Sequence, residues 1–102
     1  MTQTTDNLRS MSMMVPILPG KRDQLFRFAA ELTGARAEEY ARSQESVVKE
    51  TWHLQETPMG DFLIINFDSP DPAAVFAGLA QSAEPFDIWF REQACEISGV
   101  DF

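Results

Sequence analysis

The sequence predicts an α+β fold, an antiparallel sheet with helices against one of its faces, and three observations carry that prediction. The runs "ETWHLQET" (residues 50–57) and "GDFLIINF" (residues 60–67) are rich in strand-forming residues and flank a Pro-Met-Gly turn signal, which reads as a hairpin. Segments on both sides of the hairpin carry apolar residues at helical spacing. A short apolar run near the beginning supplies one further strand.

That first strand is Met11 to Leu18, "MSMMVPIL", ended by Pro19 and Gly20. Pro16 lacks an amide donor, so the ladder is expected to break or bulge there. Leu25, Ala29, Leu32, Arg36 and Tyr40 then fall along a helical face, and Gly34 divides this stretch into two helical pieces. In the hairpin, Trp52 and Leu54 alternate with Thr51, His53 and Gln55. A three-residue loop, with Thr57 facing Asp61, places Trp52, Leu54, Phe62, Ile64 and Asn66 on one face. Thr51, His53, Gln55, Leu63, Ile65 and Phe67 then share the other, and a loop one residue shorter exchanges the two sets.

After the hairpin, Asp68, Ser69 and Asp71 are candidate N-caps and Pro72 suits a first helical turn, with Val75, Phe76, Leu79 and Ala80 forming an apolar stripe. Pro85 opens a last helix in which Phe86, Trp89, Phe90, Ala94 and Ile97 recur before Gly99 stops it. Asp87 and Arg91 have the spacing of an ion pair on that helix. Only a stub remains for a fourth strand.

With 102 residues the chain has material for one hydrophobic core. We read residues 1–9 as a disordered arm and residues 10–102 as a single domain. The arm lacks the apolar centre of a secretory signal, and no run is long enough to span a bilayer. Sixteen acidic residues against eight basic ones give a net charge of −8, which opposes binding to nucleic acid or to an anionic membrane. The lone Cys95 rules out an internal disulfide and a cysteine-rich metal site, and a reducing cytoplasm is the expected compartment. No phosphate loop, nucleophile elbow or zinc spacing occurs, so neither metal nor cofactor is implied.

Strand, helix, strand, strand, helix is the order of the ferredoxin-like arrangement, with helices on one face and the first and third strands central. On the three-residue-loop register, Leu63, Ile65 and Phe67 lie on the uncovered face. A second copy of the same sheet is the simplest cover for such an apolar patch, giving a homodimer that Ile65→Asp is expected to dissociate.

The segments "LPGKRDQLFRFAAELTGARAEEY", "ETWHLQETPMGDFLIINF" and "EPFDIWFREQACEISGVDF" resemble those of a group of small bacterial proteins within the dimeric α/β-barrel superfamily. The resemblance covers nearly everything after Ser10 and is most specific at Pro85-Phe86-Asp87, Trp89-Phe90 and Glu92-Gln93. It implies ferredoxin-like subunits with sheets packed face to face and a small ligand held between sheet and helices. That superfamily includes cofactor-free monooxygenases, isomerases, haem-handling enzymes and ligand-sensing domains. The chain departs from it in having at most a stub where such subunits carry a full fourth strand.

The candidate ligand-binding residues are Tyr40, Trp52, His53, Asn66 and Trp89. Tyr40, Trp52 and Trp89 are aromatics suited to an apolar pocket. Asn66, an amide among apolar neighbours, is expected to be buried and to need a partner. His53, the sole histidine, has the side chain best suited to proton transfer near neutral pH. The expected function is that of a cytoplasmic homodimer binding a small apolar molecule. The alternatives are a cofactor-free monooxygenase or isomerase using His53 or Tyr40, and a purely structural or interaction protein.

Overall fold

Seven elements follow one another in the computed structural model, which describes residues 8–101: β1 (Arg9–Ile17), α1 (Arg22–Thr33), α2 (Ala37–Ser43), β2 (Lys49–Thr57), β3 (Gly60–Ser69), α3 (Pro72–Gln81) and α4 (Pro85–Ser98). The sheet is antiparallel with the order β1-β3-β2. Most of the arm expected over residues 1–9 lies outside the described residues, while Arg9 already belongs to β1.

Each helix boundary has a local cause. Gly34 ends α1 in a backbone conformation that only glycine tolerates, since a β-carbon there would stand 2.9 Å from the Ala30 carbonyl oxygen, closer than such an atom can approach backbone. The chain turns and resumes as α2 at Ala37. Asp71 caps α3 by accepting the Ala74 amide at 3.2 Å, with Pro72 in the first turn where its missing donor costs nothing. Pro85 opens α4 in the same way and Gly99 closes it, donating its amide to the Cys95 carbonyl.

The hairpin register differs from the expected one. Thr57 pairs with Gly60, not Asp61, so the loop consists of Pro58 and Met59 alone. The Thr57 hydroxyl donates to the Gly60 carbonyl at 2.7 Å and accepts the Met59 amide at 3.1 Å. Gly60 takes a φ of 128°, which a side chain would strain. A shift of one residue exchanges the faces. Trp52 and Leu54 therefore share a face with Leu63, Ile65 and Phe67, whereas His53 pairs with Ile64 and Thr51 with Asn66.

Helices cover the first of these faces. Val15 and Ile17 of β1 and Leu63 of β3 are buried against Leu25, Phe28 and Leu32 of α1 and Phe86 and Ile97 of α4. Phe28 is the hub, within 5.1–6.0 Å of the rings of Phe90, Trp89 and Trp52. The opposite face carries Met14, Phe62, Ile64, His53 and Asn66; Met14 is 65% exposed there. The apolar set left uncovered is therefore Met14, Phe62 and Ile64, and Ile65 points into the core side.

Three further expectations change. The described residues contain three strands, with no strand after Gly99, so β1 is an edge and not a central strand. Pro16 is accommodated on that edge without breaking the pairing with β3. Asp87 and Arg91 do not pair with each other. Asp87 accepts the hydroxyls of Ser43 and Ser82 at 2.5 and 2.6 Å, while Arg91 donates to the carbonyls of Leu79 and Ser82. These bonds tie α2 and the α3–α4 connection to α4.

The register generates a paired stability test. Ile65→Asp places a carboxylate among core side chains and should lower unfolding free energy by at least about 3 kcal/mol in urea titrations. Ile64→Asp, on the open face, should cost about 1 kcal/mol when the variants are compared at concentrations where the chain is monomeric. The reverse order would reject the register.

Candidate functional site

Helix α3 is built from small residues, "PAAVFAGLAQ", and meets the sheet through few large side chains. Phe76 packs edge-on against Phe67, with ring centroids 5.6 Å apart, and Val75 and Leu79 turn the same way. Beside them, α4 presents Ala94, whose short side chain leaves the space between helices and sheet unfilled. The result is a cavity of about 90 Å³ with a lining that is almost wholly hydrocarbon. Leu63 and Ile65 form its floor, and Leu79, Phe90 and Ala94 contribute to its roof. A single water needs only about 10–15 Å³ of such space, so the cavity is on the order of a small organic molecule.

The cavity has one charged lining residue, Glu50 of β2. Its carboxylate accepts the Tyr40 hydroxyl on one oxygen at 2.5 Å and the Trp52 indole N–H on the other at 2.9 Å. Tyr40 reaches this point from α2, stacked parallel to Phe90 with centroids 5.9 Å apart. Trp52 follows Glu50 by two residues and so shares its face of the strand. The three side chains also line a shallower depression of about 250 Å³ between α1 and β2, floored by Ala29 and Leu32. They thus form a common wall between an inner apolar space and an outer groove.

Burial, followed by the charge of Glu50 and the hydrogen bond to it, pushes the Tyr40 phenol above its ordinary value of 10.0. Near neutral pH the phenol is therefore a fixed hydrogen-bond donor and not a base.

Of the five residues singled out in the sequence, Tyr40 and Trp52 come together at this wall. Trp89 stands apart from the cavity, packed on Phe86 and Phe28 and covered by the Arg36 guanidinium 4.1 Å from its ring centroid. His53 and Asn66 lie on the opposite face of the sheet. His53 is exposed, with Gln55 the nearest polar partner at 3.4 Å. Asn66 is exposed rather than buried, accepting the Ser12 hydroxyl at 2.5 Å and donating to Thr51 at 3.4 Å in a polar ladder across the three strands. The changed register accounts for the displacement of Asn66; His53 alternates with Trp52 along β2 and lies on the uncovered face in either register.

Glu50 is the residue that the sequence reading missed. Its two-residue spacing from Trp52, which places it on the covered side of β2, is the signal that identifies it. Among the described residues no three histidine, cysteine, aspartate or glutamate side chains are grouped to hold a metal ion.

The shifted phenol yields a spectroscopic test, because Tyr40 is the only tyrosine. Phenolate absorbance in the native protein should develop above the ordinary range, and Glu50→Gln should lower that titration without restoring it to 10.0, since burial is the larger cause. A raised native value favours the folded state while the phenol is neutral. The associated stability is fully present below the unfolded value and is lost as pH rises through the native one. Tyr40→Phe should flatten this alkaline loss, and an unchanged slope would reject the assignment.

No family model, curated protein or solved structure matches this chain.

Proposed function

We propose that this protein binds a small, largely apolar molecule in the space between its sheet and its helices. The observation that carries the reading is the hydrocarbon-lined cavity left by α3 and Ala94, bounded at one side by a hydrogen-bonded Tyr40–Glu50–Trp52 wall. Apolar concavities with few oriented polar groups are the usual form of small-molecule sites. The strand order and the helical crossover from β1 to β2 support a ferredoxin-like subunit without a fourth strand among the described residues, in keeping with the resemblance to dimeric α/β-barrel proteins. No helix among the described residues is long and apolar enough to cross a membrane, and the cytoplasm, with its reduced thiols, suits Cys95.

The reading as a cofactor-free monooxygenase or isomerase has less support. His53 and Asn66 face away from the cavity, and Tyr40 is held neutral with its hydroxyl committed to Glu50.

A homodimer through the open face of the sheet is favoured by a separate observation. The rungs His53–Ile64–Met14 and Gln55–Phe62–Pro16 carry no acidic or basic side chain apart from the histidine, in a chain whose net charge is −8. Two such faces meet without like-charge repulsion while covering Met14, Phe62 and Ile64. The purely structural reading keeps this dimer and leaves the cavity without a ligand.

Mass spectrometry of the protein isolated without denaturation should detect a retained apolar molecule, and Ala94→Phe, which fills the cavity, should abolish retention. No retained mass, together with methyl resonances of Leu63 and Ile65 that toluene leaves unmoved, would overturn the binding reading. Sedimentation analysis should give a dimer that Ile64→Asp converts to monomer; a wild-type monomer would reject the sheet interface.

A further inference from the structure

Glu50 is a carboxylate placed on the side of the sheet where its strand neighbours Trp52 and Leu54 pack against the core. The two groups that hydrogen-bond to it, a phenol and an indole N–H, are neutral, so its charge is oriented but not compensated. Among the described residues no lysine, arginine or histidine lies within ion-pair distance of it; the ion pairs found there involve Glu39, Glu56 and Asp61. A carboxylate has about four acceptor positions, and two of those on Glu50 are taken. The side chain lines both the inner cavity and the outer groove, so a molecule occupying the junction meets it directly.

From this juxtaposition we propose that Glu50 is the anchor for the ammonium group of a primary amine whose hydrocarbon body occupies the apolar cavity. The assignment rests on the binding reading above and adds to it the chemistry of the head group. A compact ammonium fits because it needs one or two of the remaining acceptor positions, whereas a guanidinium would seek both oxygens along an edge where Tyr40 and Trp52 already donate. The two fixed donors also hold the carboxylate in place before a ligand arrives, so little ordering is required on binding. A lone carboxylate without neighbouring ligands does not make a metal site.

Benzylamine, benzyl alcohol and toluene share one hydrocarbon ring and differ only in the head group, which makes them suitable probes for the full chain. Calorimetry and resonance shifts of Ile65 and Trp52 at neutral pH should show benzylamine binding at least about tenfold more tightly than either neutral compound. Glu50→Gln should remove that preference and bring benzylamine to the affinity of benzyl alcohol. Benzylamine no tighter than toluene or benzyl alcohol on the wild-type protein would overturn the head-group assignment while leaving the cavity reading intact. Failure of all three to bind would overturn both. The wild-type comparison decides the matter even if the variant is poorly folded.

Discussion

Thr57 closes the hairpin by donating its hydroxyl to the Gly60 carbonyl and accepting the Met59 amide, and this pair of hydrogen bonds fixes a two-residue turn. Side chains in a strand alternate strictly between faces, so the choice of pairing partner for Thr57 determines the direction of every residue from Gly60 to Ser69. Leu63, Ile65 and Phe67 are thereby committed to the helices, and Phe62, Ile64 and Asn66 to the other side. Since β3 is the central strand, both edge strands inherit the same parity: Val15 and Leu54 flank Leu63, and Met13 and Trp52 flank Ile65. The core, the cavity floor and the wall at Glu50 all follow from that one closure.

The cavity itself arises from an imbalance between the two covering layers. Helix α1 brings Leu25, Phe28 and Leu32 to the sheet and is fully engaged, with Phe28 in contact with three aromatic rings. Helix α3 brings only Val75, Phe76 and Leu79 toward the sheet, each half-buried, while its alanines and glycine face outward, and its only buried residue is Pro72 at the first turn. A packed interior normally leaves few voids larger than a water molecule, so a hydrocarbon-lined space at this position marks where covering side chains are too short. Polar chemistry enters only at its edge, where β2 turns Glu50 inward and α2 delivers Tyr40.

Much of this architecture is legible in the sequence, and the remainder is hidden for identifiable reasons. The break at Gly34, the starts at Pro72 and Pro85 and the stop at Gly99 are local signals that the structure follows. The face assignment is not local. Strand β3 has apolar residues on both sides, Phe62 and Ile64 against Leu63 and Ile65, so its own pattern does not choose between them. The choice is made by a threonine hydroxyl in the turn, which composition does not reveal. A usable signal did exist in β2, where Trp52 and Leu54 are the only apolar residues; requiring them to join the larger apolar set of β3 selects the two-residue loop. The exchange of faces moves Asn66 to the open side, whereas Glu50 and His53 keep the sides that alternation with Trp52 gives them in either register, and Tyr40 and Trp52 are recognisable as aromatic residues of the covered side.

The most direct test of the account is a nuclear Overhauser measurement on the Ile65 side chain. Cross-peaks from its methyl protons to the Trp52 indole, which lies directly across β2, are the predicted result. Cross-peaks to the His53 ring in their place would shift the pairing by one residue and contradict the arrangement of core, cavity and carboxylate together.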